Sequence, residues 1–190
     1  MSTLIAGLLL FLGVHSIAIL SPGLRDRLAA RLGTGPWKGL YALAATVGLV
    51  LVVRGFLPAR AVATTWYIPT APMRWAAVLL MLGVFPCLLA SHLPGKIQST
   101  LRHPMLVATK AWAVAHLLAN GSSADVLLFG SLLAWAVVER ISLNRRPARP
   151  LPMAPARPLN DVIAVVAGLG VYALFVGGLH RVLFGVSPLG

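Results

Sequence analysis

Apolar residues in this chain come in six long blocks, separated by short links that carry proline, glycine and charge. A helix needs about 20 predominantly apolar residues to cross roughly 30 Å of hydrocarbon. The blocks therefore predict transmembrane helices over about 2–21, 37–57, 72–93, 104–118, 124–141 and 161–184. Pro22-Gly23 stops the first and Pro58 the second. Pro86 predicts a kink inside the third, which ends at Pro94-Gly95. The fourth is the shortest and closes at Asn120-Gly121, and Asn160 is placed to cap the sixth. Short links make neighbouring helices antiparallel, and only the Pro/Arg/Ala stretch from Arg145 to Pro158 reads as a loose linker. The expected architecture is an all-α integral membrane protein, one six-helix transmembrane bundle over 1–190. The N-terminus lacks a basic leader and a small-residue cleavage site, so it is expected to stay as the first span.

Composition agrees with that pattern. The chain is 58% hydrophobic and 11% charged, with a mean hydropathy of +0.87, whereas soluble domains carry about 25% charged residues. The net charge of +12 would suit nucleic acid, but the basic residues sit at the ends of apolar runs. There they act as topology signals and meet anionic lipid headgroups. Eleven of them (Arg25, Arg27, Arg31, Lys38, Lys96, Arg102, Arg140, Arg145, Arg146, Arg149 and Arg157) fall in the odd-numbered links, against four on the other side (Arg54, Arg60, Arg74, Arg181). That bias puts the odd links in the cytoplasm and both termini in the periplasm of a bacterial inner membrane. A single cysteine, Cys87, leaves no disulfide framework, and four carboxylates in the whole chain argue against paired-carboxylate catalysis. Phosphate loops, nucleophile elbows, HExxH and dinucleotide fingerprints are absent from the sequence.

The chemistry that remains is histidine inside hydrocarbon. His15 lies in the first span, His103 opens the fourth and His116 lies deep within it. An intramembrane imidazole needs a partner and marks a functional site by default. On the fourth helix Trp112, His116 and Asn120 share a face, so Asn120 is placed to hold the far imidazole nitrogen of His116. His103 and Lys110 share another face, about 140° away from His116, so His103 and His116 should not ligate one metal together. Lys110 calls for an anion at that depth: a cofactor carboxylate, Glu139 or Asp125. Against these stand plainer roles. His15 can pack helices by bonding a carbonyl or Ser16, His92 and His180 sit near helix ends, and Trp37, Trp66 and Trp75 suit an interfacial belt. Glu139-Arg140 suits a local ion pair or a headgroup contact, and Gly168, Gly170, Gly177 and Gly178 suit close helix approach in the sixth span.

Three stretches carry a family resemblance: GVHSIAILSPGLRDRLAARLGTGPWKGLYAL, LRHPML with KAWAVAHLLANG, and FGSLLAWAVVERISLNRR. Together with the last span they closely resemble the NnrU family of bacterial membrane proteins over nearly the whole chain. Proteins of that family are linked by name and context to nitrite and nitric oxide reduction. The same domain recurs in the zeta-carotene isomerases of plants and cyanobacteria, integral membrane enzymes that hold haem b. The resemblance implies haem b with His15 and His116 as axial ligands, and His103, in the Arg102-His103-Pro104 triplet, matches a further histidine of the isomerases. Where those enzymes carry a cysteine three residues before the second ligand, this chain has Ala113, so thiolate ligand switching is not implied here. Lys110 and Asn120 complete the expected cofactor surroundings.

The function so expected is support of nitrogen-oxide respiration by redox chemistry, haem handling or assembly of a reductase, with reductase components as partners. Two other classes compete with it. The RHP triplet also resembles that of membrane S-adenosylmethionine-dependent methyltransferases, but Met105-Leu106-Val107 and Glu139-Arg140 depart from their pattern. The other is an assembly factor without cofactor.

Overall fold

The computed structural model describes residues 1–146 and 153–189, and these are helical apart from short links. Among the described residues there is no strand, and one isolated bridge pairs Thr65 with Ser122. The order is α1 (Ser2–Leu20), α2 (Pro22–Leu32), α3 (Thr34–Ala61), α4 (Ala71–Met81), α5 (Val84–Ala90), α6 (Lys96–Leu101), α7 (Pro104–Ala119), α8 (Ser123–Leu143), α9 (Asn160–Leu174), a π-helical turn (Phe175–Leu179) and α10 (His180–Phe184). Among the described residues five stretches are long and apolar enough to cross a membrane, with 2–20, 34–61, 71–90, 123–143 and 160–184 as their bounds. The fourth expected span, α7, is apolar but has 16 residues. Arg149, in the expected linker, lies outside the described residues.

The chain divides into two compact units. Unit 1 comprises residues 1–68 and 121–145, and unit 2 comprises 69–120 and 146–190.

In unit 1, α1 packs along α3, and α8 packs on both. Small residues allow the close approach: a Cβ on Gly7 would strike the backbone of α3, and one on Gly48 or Gly55 the backbone of α1. In lipid, where no hydrophobic force separates helix from solvent, such backbone contact is the main source of association. Pro22 does more than end the first helix. Ser21 caps α2, its side chain accepting from Leu24 N–H, and Pro22 opens that helix at a position where a missing N–H costs nothing. Pro58 does not end α3 either. It removes one donor in the last turns, and the helix runs on to Ala61. The loop after α3 is fastened to the start of α8: Trp66 and Tyr67 N–H donate to Gly121 carbonyl at 2.8 and 3.2 Å, and Ser123 N–H donates to Thr64 carbonyl at 2.8 Å. Ser122 and Asp125 form a capping box there.

In unit 2, α5 packs on α9 and α7, and α4 packs on α7. The kink expected of Pro86 falls at Leu82-Gly83, between α4 and α5, where both residues keep right-handed helical dihedrals. A proline ring clashes with the carbonyl four residues earlier, here Leu82, so the break falls one turn ahead of the proline. Leu82 N–H turns to Leu79 carbonyl at 3.2 Å, and Val78 carbonyl instead accepts from the Tyr172 hydroxyl of α9 at 3.1 Å. Gly168 meets Pro86 closely enough that a Cβ would strike its backbone. Gly170, Gly177 and Gly178 do not serve helix approach, since a Cβ on them meets nothing; Gly178 has φ 154° within the π-helical turn. Asn160 does not cap α9, whose N-cap is Leu159. Its buried amide donates to the carbonyls of Pro94 at 2.8 Å and Pro155 at 3.1 Å. Beside it, the Asp161 carboxylate accepts from Lys96 N–H at 2.7 Å and Ile97 N–H at 3.0 Å, capping α6 from another helix. The described part of the expected linker is held as well, with Ala154 N–H donating to His92 carbonyl at 2.9 Å.

Candidate histidine sites in the two units

His15 sits half-buried five residues before the end of α1. Its Nδ1 is 2.7 Å from the Phe11 carbonyl one turn back. A carbonyl oxygen only accepts, so Nδ1 carries a proton, and Nε2 is the ring nitrogen left to act as an acceptor or ligand. Three rings surround it: Phe11 at 4.3 Å, Tyr41 of α3 edge-on at 5.4 Å, and Trp135 of α8 edge-on at 5.8 Å. The Glu139 carboxylate, one turn beyond Trp135, lies within electrostatic reach of the Tyr41 hydroxyl. The local pair expected of Glu139-Arg140 gives way to a different arrangement, in which Arg140 donates to Asn144 Oδ1 at 2.6 Å.

His116 repeats this arrangement in unit 2. Its Nδ1 is 2.9 Å from the Trp112 carbonyl, again one turn back, and the Trp112 ring lies 4.8 Å from the imidazole. The orienting bond expected from Asn120 thus comes from the helix backbone. Asn120 instead ends α7, where its backbone N–H and its side-chain amide both donate to the His116 carbonyl, at 2.9 and 3.0 Å. The physical reason is local: a C-cap residue has the unpaired carbonyls of the last turn within reach, and the ring nitrogen already has a partner. His180 Nδ1 also meets a carbonyl, that of Val186 at 2.7 Å, on an exposed turn at the chain's end.

Arg102 and His103 stand at the opposite end of α7, about 20 Å of helix rise from His116. Arg102 is exposed with φ 61° and ψ −40°, and His103 N–H reaches back to Leu101 carbonyl at 2.7 Å. This is a γ-turn with positive φ, a strained geometry for a residue with a side chain. It reverses the chain from α6 into α7. His103 is the N-cap of α7, and its carbonyl accepts from Leu106 and Val107 N–H at 3.1 and 3.2 Å. Lys110 is half-buried and makes no hydrogen bond or ion pair with the described residues. Asp125, a candidate counter-ion for it, is committed within unit 1. Its Oδ2 accepts from Ser122 N–H and Oγ at 3.1 and 2.6 Å, and its Oδ1 faces Arg60 Nε at 3.2 Å. Nearby, burial first and the Asp125 charge second push the Tyr67 hydroxyl above its ordinary pKa of 10.0.

Each unit thus contains a half-buried histidine whose Nδ1 is pinned to its own helix. This donor chemistry fits haem iron, which takes neutral imidazole whose other N–H is held by a carbonyl. Among the described residues no cluster of three or more His, Cys, Asp or Glu could hold a bare metal ion. That Tyr41 and Trp135 flank His15 escapes a reading of the sequence, because each is on a different helix from His15. The one sequence signal is that Trp135 and Glu139 lie four apart on a helix face.

Among known proteins, a family model described as NnrU protein matches residues 3–188. No curated protein and no solved structure matches the chain.

Proposed function

We take as premise that the chain belongs to the NnrU family, and we propose that it is a bacterial inner-membrane protein that binds haem b through His15 and His116 in support of nitrogen-oxide respiration. In this reading α7 also crosses the membrane, which brings the spans to six, and both termini face the periplasm, as the distribution of basic residues favours. The observation that carries the proposal is the shared arrangement of the two histidines: in each, Nδ1 meets the carbonyl one turn back as a donor, so ligation would fall to Nε2. Bound haem would supply one-electron chemistry at its iron. The protein's own part is to hold two imidazoles in the correct tautomer, to keep them among aromatic rings away from bulk water, and to offer Lys110 as a cation for an anionic group. Redox work, haem handling and assembly of a reductase all draw on that same site.

A reduced-minus-oxidised absorbance spectrum of detergent-purified protein tests this directly. The expected result is a Soret band with sharp α and β bands, lost or converted in His15→Ala and His116→Ala but intact in His92→Ala and His180→Ala. A haem-free preparation from haem-replete cells, or an unchanged spectrum in both ligand variants, overturns the reading. Lys110→Met should keep haem stoichiometry while weakening function; loss of haem to the extent seen in His116→Ala would make Lys110 a haem anchor. A reporter active only in the periplasm should be active when fused after Gly190, and activity of a cytoplasm-only reporter there overturns the topology.

A further inference from the structure

Trp135 presents an unanswered donor beside His15. Its Nε1 is buried and has no hydrogen-bond acceptor among the described residues. An indole N–H only donates, and it can neither ionise nor rotate independently of its ring. The carbonyls of α8 near it are engaged by the helix's own amides. Buried donors in native proteins nearly always have an acceptor, so a lone one points to an acceptor that the described residues do not supply. The ring stands at 85° to the imidazole with centroids 5.8 Å apart, and Tyr41 flanks the same imidazole from α3 at 5.4 Å. Three helices thus bring a ligating nitrogen, a fixed donor and a phenol to one place in unit 1.

We propose that Trp135 donates its indole N–H to a propionate carboxylate of the haem held at His15, which makes it a positioning residue for the cofactor; this rests on the haem reading above. The propionates carry the only oxygens of a b-type haem, so they are its only strong acceptors for an N–H. Glu139, one turn further along α8, brings like charge to the same end. A propionate there depends on a donor that is already in place.

The test uses full-length protein in detergent, stripped of haem and titrated with haemin while the Soret band is followed. Trp135→Phe keeps an aromatic ring and removes the N–H together with the pyrrole half of the indole. Loss of a charge-assisted bond weakens haemin binding roughly tenfold or more, while the unfolding temperature of the haem-free variant stays near that of the wild type. Ultraviolet resonance Raman supplies a readout independent of affinity. On haemin loading the wild type should show a shift in the indole N–H marker, and the shift should be missing from Trp135→Phe. Equal haemin affinity in the two proteins, or no loading-dependent indole shift in the wild type, overturns this inference and leaves the haem reading standing. A wild type that binds no haemin overturns both. If Trp135→Phe does not fold, the wild-type Raman difference decides alone.

Discussion

The two units hold their helices together by different means. Unit 1 relies on backbone contact, with glycines on α1 and α3 meeting the backbone of the opposite helix, and on one buried carboxylate paired with Arg60. Unit 2 is built from interrupted helices, and side chains repair what the interruptions leave. Tyr172 answers the Val78 carbonyl at the α4–α5 break, Asn160 answers two loop carbonyls, and Asp161 answers two amides of α6. Irregular backbone at membrane depth survives only where its polar groups find partners. The comparison teaches that small residues suffice where helices are continuous, and that polar side chains take over where they are broken. Both units nevertheless present histidine in the same way, because the bond to the preceding turn is a property of one helix and not of its packing.

The largest contrast is expected at glycine. Gly48→Val puts a side chain against the backbone of α1 and should destabilise by about 3 kcal/mol, the upper end of overpacking costs. Gly170→Val, facing open space in unit 2, should stay within about 0.5 kcal/mol of wild type. Equal losses in reversible unfolding in detergent would break the distinction between the two units. Removal of the buried charge comes next. Asp125→Ala leaves Arg60 and the Ser122 cap without their carboxylate and should cost about 2–3 kcal/mol, reduced from the fully buried case because Arg60 is 36% exposed. Its counterpart Asp161→Ala should cost about 1 kcal/mol, the worth of a helix cap, with amide exchange rising first at Lys96 and Ile97. Exchange that rises first in unit 1 instead would remove Asp161 from its assigned role.

A smaller effect of opposite sign is expected at the turn before α7. Arg102→Gly relieves a positive φ and should stabilise by about 1 kcal/mol. A loss of function together with that gain would mark Arg102 as a residue kept for its side chain; a destabilised glycine variant would show that the turn is unstrained. The smallest effect concerns pH. The folded state holds the Tyr67 hydroxyl above its ordinary pKa of 10.0. Raising the pKa of an acid on folding means that the folded state disfavours the phenolate, so stability is unaffected below pH 10 and falls as pH rises through that value. Tyr67→Phe should unfold with a flatter pH dependence above pH 10 than the wild type, and superimposable curves would refute the linkage.

The sequence alone determined the helical class, the apolar stretches and their bounds to within a few residues, and the place of His15 and His116 along their helices. Each of these depends on the local succession of residues, on block length, proline position or spacing along one helix. Even the break at Leu82-Gly83 follows from Pro86 by counting back four residues. Helix partners were decided only by the fold. Gly7, Gly48 and Gly55 look no different in sequence from Gly170 and Gly177, because the need for glycine comes from the backbone opposite. Asn160 and Asp161 read as the start of a helix, yet their side chains bond residues more than sixty positions away. The same holds around His15: its pinned nitrogen follows from α1 alone, whereas Tyr41 and Trp135 stand beside it only because three helices, distant in sequence, converge.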